Sequence, residues 1–296
     1  MRVLVIGAGQ MGSGIAQVLA GAGHEVLLND VDAKRIRHGI DGIAKQLDRA
    51  VEKGRITEIQ RGKVLEHIDP RDHFENLDVA LAIEAATENL EIKKELFRTL
   101  DLSTPPEAIL ASNTSSISIT TLAAVTTRPE SVIGMHFMNP VPVMKLVEVI
   151  RGLATSDQTF RTIYDLAKGL GKTPVEVRDF PGFISNRILL PMLNEAIYAL
   201  YEGVSTIEDI DTVMKLGMNH PMGPFELADF IGLDTCLAIM EVLHEGFADS
   251  KYRPCPLLRQ YVAAGWLGKK SGRGFYDYRD GAPKVNGAVA THVRAH

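Results

Sequence analysis

Apolar and polar positions along the first half of the chain switch repeatedly between a period of two residues and a period near 3.6. Arg2–Ile6 is a short apolar run that reads as a strand. Ile15, Ala16, Val18, Leu19 and Ala22 then recur at helical spacing. Glu25–Asn29 reads as the next strand, and Val31–Gly54 as a long helical stretch. The alternation continues with a strand at Val79–Ala85, a helix at Glu88–Leu100, a strand at Ala108–Ser112 and a helix near Ser118–Val125. Two β-rich runs follow, Val132–Phe137 and Met144–Ile150, separated by Asn139-Pro140-Val141-Pro142. A helix at Ser156–Gly169 and a strand at Thr173–Arg178 close this half. Strands alternating with helices predict an α/β domain with a mostly parallel sheet. Asp179-Phe180-Pro181-Gly182-Phe183 breaks the rhythm, so a domain boundary is expected near residue 180. Beyond it the pattern is helical. Ile184–Gly203 is apolar on most faces, with Pro191 inside it, and a helix of that kind needs cover on several sides. A helical domain of residues 181–278 covers it poorly alone, which predicts a homodimer through this half. Residues 279–296 lack periodicity and read as a tail.

The turn after the first strand carries chemistry. Gly7-Ala8-Gly9-Gln10-Met11-Gly12 is G-x-G-x-x-G with a strand before it and a helix after it. Gly7 suits a tight turn, Gly9 lets backbone approach a diphosphate, and Gly12 lets helix and strand pack closely. The helix start offers unpaired N–H groups to phosphate. Asp30 ends the second strand 18 residues after Gly12. A carboxylate there accepts hydrogen bonds from adenosine ribose hydroxyls and repels a 2′-phosphate, so NAD is expected over NADP. The fold class is therefore α/β: a Rossmann-type, doubly wound, mostly parallel sheet in residues 1–180, followed by an all-helical C-terminal domain.

One imidazole stands out. His136 lies in an apolar run, and Glu148 is a lone carboxylate in Leu-Val-Glu-Val-Ile. A single histidine beside a strand is more often a core residue than a catalyst, but a buried glutamate needs a partner. Residue 142, in the Pro-containing turn, is the midpoint between them. If the two runs pair antiparallel, His136 and Glu148 face each other, and the carboxylate would orient the ring and favour its charged form. Asn113-Thr114-Ser115-Ser116 crowds another strand end, the edge where doubly wound sheets bind ligands. A helix cap accounts for one or two of these four residues.

Composition narrows the classes. Across 296 residues the net charge is −5 and the pI about 6.0, which does not indicate a nucleic-acid partner. No apolar run of 18 or more residues is present, so no membrane span is expected. The opening residues lack a signal-peptide layout, and Cys236 and Cys255 lack metal-ligand spacing, so a cytoplasmic protein without a metal is expected. The helical stretch after Asp30 carries Lys34, Arg35, Lys45, Arg49 and Lys53, either a solvated face or a basic surface for a phosphorylated substrate handle.

The segments GAGQMGSGIA, ASNTSSISI, GMHFMNPVPVMKLVEVI, PGFISNRILLPMLNEA, PMGPFELADFIGLD and GKKSGRGFYDY together resemble the short-form L-3-hydroxyacyl-CoA dehydrogenases, in particular the bacterial 3-hydroxybutyryl-CoA dehydrogenases. The resemblance runs from about residue 2 to residue 278. It implies His136 as catalytic acid/base with Glu148 as its partner, Ser115 on the reacting oxygen, and Asn186 contacting substrate and placing the histidine. Glu88, Lys93, Asn139, Lys270 and Ser115 would line NAD with Gly7, Gly9, Gln10, Met11, Gly12 and Asp30. Lys53 would contact the coenzyme A of an acyl-CoA substrate. A dicarboxylic substrate, 3-hydroxyadipyl-CoA, and a crystallin-like dinucleotide-binding protein without turnover are the alternatives. A β-hydroxyacid dehydrogenase is disfavoured because no lysine lies between Lys172 and Lys215.

Overall fold

A computed structural model describes residues 1–73 and 77–286. The chain divides into two compact units, Met1–Phe180 and Pro181–His296. In the first, the order is β1 (Arg2–Ile6), α1 (Gln10–Gly21), β2 (Glu25–Asn29), α2 (Ala33–Glu52), α3 (Glu58–Glu66), β3 (Ile68–Arg71), β4 (Leu81–Glu84), α4 (Leu90–Ser103), β5 (Ile109–Ser112), α5 (Ile119–Ala123), β6 (Val132–Phe137), β7 (Leu146–Arg151), α6 (Asp157–Gly169) and β8 (Thr173–Arg178). Among the described residues these strands form one eight-stranded sheet in the order β3-β2-β1-β4-β5-β6-β7-β8. The order reverses between β1 and β4, and at such a switch point the strand ends diverge and leave a crevice for ligand.

Every neighbouring pair is parallel except β6 and β7. The reason is chain length. A parallel return needs a crossover of about a dozen residues or more. Only 138–145 separate these strands, and that stretch carries two prolines. The forced hairpin sets Gly134 opposite Ile150 and His136 opposite Glu148. Side chains alternate across a sheet. Met135 and Phe137 therefore enter the main core with Val147 and Val149, and His136 and Glu148 share the other face. At Gly134 a Cβ would crowd Ile150, so that face accepts no larger residue there.

Two elements escaped the sequence reading. Helix α3 buries no residue, so its apolar pattern is weak; a capping box between Thr57 and Gln60 starts it. Strand β3 buries only Ile68 and contains Pro70, which an edge strand tolerates. Helix α4 starts two residues later than expected, with Asn89 as its N-cap, and this leaves Glu88 in the preceding loop.

The second unit contains α7 (Ser185–Tyr201), α8 (Ile207–Thr212), α9 (Pro224–Ile231), α10 (Leu233–Phe247), α11 (Pro256–Ala263), β9 (Tyr276–Asp277) and β10 (Lys284–Val285). Its core gathers Leu190, Leu193, Ile197, Phe225, Tyr261 and Phe275. Pro191 sits inside α7 without ending it. Part of the segment expected to be a tail is structured: Lys284–Val285 pairs antiparallel with Tyr276–Asp277, and Asn286 is buried. Asp229 anchors this hairpin by accepting from Phe275 N, Tyr276 N and the Tyr278 hydroxyl at 3.0, 2.8 and 3.1 Å. Burial outweighs these hydrogen bonds and pushes the Asp229 carboxyl up to about 6. The last ten residues of the expected tail lie outside the described residues.

Candidate active site

The glycine loop has the geometry its sequence calls for. Gly7 takes φ +100°, and a Cβ there would crowd the Ala85 carbonyl. At Gly12 a Cβ would overlap the Gly7 carbonyl oxygen. At Gly9 a Cβ would meet nothing within 4 Å. Loop and helix therefore pack tightly at two glycines and stay open at the third. Gly9 is the N-cap of α1 and caps it with no side chain, so the amides of Gln10, Met11 and Gly12 begin the helix beside that open space. A cleft of about 400 Å³ there is lined by Gly7, Gly9, Asp30, Val31 and Ala86, among others. Asp30 Oδ2 accepts from Ala8 N and Oδ1 from Val31 N, both at 2.7 Å. The carboxylate thus ties the loop to β2 and keeps lone pairs over for a diol. An open glycine, a helix start and a strand-end carboxylate fit a dinucleotide.

The strand-end polar residues converge on one network. His136 Nδ1 lies 2.8 Å from Glu148 Oε2, with the residues 6% and 1% exposed. A carboxylate at that nitrogen holds the Nδ1–H tautomer, so neutral His136 presents the Nε2 lone pair. Ser115 Oγ lies 3.1 Å from Nε2. None of the quartet at 113–116 caps α5; Ser118 does, accepting from Thr121 N. Asn113 Oδ1 accepts from Phe137 N at 2.8 Å and so locks the end of β6. Glu88 Oε1 accepts from the Thr114 hydroxyl (2.5 Å), Ser115 N (2.9 Å), and Ser116 N and Oγ (3.2 and 3.0 Å). Burial would raise the Glu88 pKa, but the Lys93 ammonium and these donors outweigh it and hold the carboxyl below its ordinary value.

Lys93 is not at the surface. At 1% exposure it faces Glu84 Oε1 at 2.6 Å, Glu88 Oε2 at 3.2 Å and the Ala86 carbonyl at 3.3 Å. It hydrogen-bonds Glu84 and the Ala86 carbonyl and forms an ion pair with Glu88, so Lys93 is engaged by the protein and holds Glu88. Glu84 and Ser112 were missed from the sequence. The signal that exposed Glu148 was present at Glu84 too: a lone carboxylate within an apolar strand, Leu-Ala-Ile-Glu.

The first unit thus brings together His136, Glu148, Ser115, Glu88 and Lys93. Asn139 lies exposed in the turn after β6, and Lys53 lies exposed at the C-cap of α2. Asn186 and Lys270 belong to the second unit. Asn186 occupies the first turn of α7, its N–H donating to Gly182 O at 3.1 Å, and Lys270 Nζ pairs with Asp234 at 2.6 Å. Among the described residues no group of three or more His, Cys, Asp or Glu side chains could hold a metal ion, and no helix is long and apolar enough to cross a membrane.

Comparison with known proteins agrees with this chemistry. Residues 2–180 match the family model described as 3-hydroxyacyl-CoA dehydrogenase, NAD binding domain, and residues 182–278 match the 3-hydroxyacyl-CoA dehydrogenase C-terminal domain. A probable 3-hydroxybutyryl-CoA dehydrogenase of Bacillus subtilis is 63% identical over 280 residues, covering 94% of this chain and 98% of the relative. The 3-hydroxybutyryl-CoA dehydrogenase of Bradyrhizobium diazoefficiens is 60% identical over 283 residues, covering 95% and 97%. The crystal structure of (S)-3-hydroxybutyryl-CoA dehydrogenase from Ralstonia eutropha superposes with a TM-score of 0.92 at 51% identity, covering 94% of this chain and 99% of that one. Since both halves match one family's models and such relatives align over nearly their whole lengths, the chain belongs to the 3-hydroxyacyl-CoA dehydrogenase family of NAD-dependent oxidoreductases.

Proposed function

We propose that the chain interconverts (S)-3-hydroxybutyryl-CoA and acetoacetyl-CoA, with His136 as acid/base and Glu148 as its charge partner. The observation that carries this is the 2.8 Å His136–Glu148 contact with Ser115 on the other ring nitrogen, at the end of a sheet whose glycine loop fits NAD. The amides after Gly9, with Gln10, Met11 and Gly12, would hold the diphosphate, and Asp30 the ribose. When bound, NAD supplies the nicotinamide that exchanges hydride with C3 of the acyl chain.

The protein manages the proton. In the oxidative direction Nε2 of neutral His136 takes the proton of the C3 hydroxyl. In reverse, the imidazolium returns it to the forming alkoxide. Ser115 Oγ, set beside Nε2, donates to that same oxygen. An imidazole has an ordinary pKa of about 6.5 and can exchange a proton near neutral pH. Glu148 stabilises the imidazolium formed or consumed in each turnover. Asn186 as substrate contact, Lys270 and Asn139 as cofactor contacts, and Lys53 as coenzyme A contact rest on the match of their segments to the family. Lys93 serves the cofactor side through Glu88. CoA esters and NAD are polyanions that do not cross membranes unaided, which supports work in the cytoplasm.

The assay is NADH consumption with acetoacetyl-CoA, repeated with NADPH and with free acetoacetate. Fast turnover confined to NADH and the CoA ester is expected. Free acetoacetate turned over as well as the ester would remove the CoA assignment. Turnover only with a longer or dicarboxylic 3-oxoacyl-CoA would shift the chain-length reading.

The homodimer is supported by α7. Leu190, Leu193 and Ile197 are buried, yet Ile188 is 69% exposed on the same helix. Ile184, Ile188, Leu189, Met192, Pro221 and Met222 line an apolar groove of about 410 Å³. Apolar surface of that kind marks an interface. Ile188→Asp is expected to convert a dimer to a monomer in size-exclusion chromatography with light scattering. An unchanged mass for this variant would move the interface elsewhere.

A further inference from the structure

We propose that Glu84 is a positioning residue for the reaction: it sets the loop that holds Ser115 against His136. The proposal rests on the acid/base reading above.

Glu84 ends β4 at the sheet's C-terminal edge, level with Ile6 on one side and Ser112 on the other, and is fully buried. A carboxylate in that position requires a cation and further donors. Oε1 accepts from Lys93 Nζ and from Ala86 N, each at 2.6 Å. Oε2 accepts from Ser112 Oγ at 2.6 Å. A purely structural ion pair would end at the lysine. Here two routes continue and meet again on the loop 114–116. Along one, Lys93 reaches Glu88 at 3.2 Å, and Glu88 gathers Thr114, Ser115 N and Ser116. Along the other, Ser112 Oγ accepts from Thr114 N at 3.2 Å. Glu88 is 41% exposed at its side chain, so water alone would leave it mobile; Lys93, held from behind by Glu84, fixes it.

The same residue supports the cofactor loop. Its bond to Ala86 N shapes the Ala85–Ala86 turn, against which Gly7 packs without room for a Cβ. Glutamine at position 84 keeps the shape and removes the charge. Lys93 then has Glu88 as its one carboxylate partner in this network and draws it off the 114–116 amides. Ser115 loses its register against Nε2, and small misplacements of a reacting group are costly in rate.

The test is a double-mutant cycle of Glu84→Gln and Ser115→Ala, read as kcat with NADH and acetoacetyl-CoA, with thermal melts alongside. Coupling through Ser115 makes the two effects non-additive. Glu84→Gln is expected to lower kcat about tenfold in the parent and less than about twofold in Ser115→Ala, whatever it does to Tm. Equal losses in both backgrounds, or no loss in the parent, would overturn the proposal and leave Glu84 a stability residue. If Ser115→Ala alone leaves kcat unchanged, the role given to Ser115 falls and this proposal with it, whereas the His136–Glu148 reading is tested separately by Glu148→Gln. Should Glu84→Gln not fold, Ser112→Ala enters the same cycle. It interrupts the second route only and is expected to lower kcat about threefold in the parent and not in Ser115→Ala. Equal loss in both backgrounds would again overturn the proposal.

Discussion

Glu148→Gln is expected to lower kcat by about 10²–10⁴, the range for a lost acid/base function, with NADH affinity nearly unchanged. That is about 3–5 kcal/mol of transition-state stabilisation. Glutamine fills the same space and offers a carbonyl oxygen to Nδ1–H, so ring orientation survives. What goes is the negative charge 2.8 Å from the imidazole. In an interior where both residues are nearly inaccessible, that charge stabilises the imidazolium far more than it would in water. His136→Gln tests the same step less cleanly, because it removes the imidazole beside a carboxylate 1% exposed and lowers stability too. Stopped-flow measurement of the chemical step separates the cases. A Glu148→Gln enzyme with parental kcat would make the pair structural.

Gly12→Ala and Gly9→Ala are expected to disable the cofactor site by opposite routes. At Gly12 the new methyl overlaps the Gly7 carbonyl oxygen, and backbone cannot swing aside as a side chain can. The strain of such overpacking is about 1–3 kcal/mol or more, and Tm should fall by several degrees with NADH binding largely lost. At Gly9 the φ of −73° suits alanine and the methyl meets no protein atom within 4 Å. Gly9→Ala should therefore melt like the parent and yet bind NADH at least about tenfold more weakly, since the methyl occupies the diphosphate's approach. Titration of NADH fluorescence beside a thermal melt reads both. Parental NADH affinity in Gly9→Ala would place the diphosphate elsewhere.

Much of this was legible in the chain itself. Period switching located the main strands and helices, since burial on one or two faces imposes those periods directly. The glycine loop was legible because Gly7 and Gly12 answer local steric demands and Gly9 keeps the helix start open. The His136–Glu148 pair was legible because a two-proline connection too short for a crossover forces a hairpin, and a hairpin with a known centre fixes register. Helix α3 and strand β3 were not, because an element that buries almost nothing leaves almost no pattern.

Other features depended on long-range assembly. Lys93 reads in sequence as one more charge on a helix, and only the stacking of β4, α4 and the 114–116 loop surrounds it with Glu84, Glu88 and Ala86. Glu88 precedes its helix by two residues, and its five oxygen contacts come from a lysine and a loop that local spacing cannot bring to it. The sequence by itself determined the fold class, the glycine loop and the facing of His136 and Glu148, because these rest on local sterics and on register within one hairpin. The tertiary structure alone decided that Lys93 meets Glu84 and Glu88, because that depends on side chains converging from strands and loops outside any one hairpin.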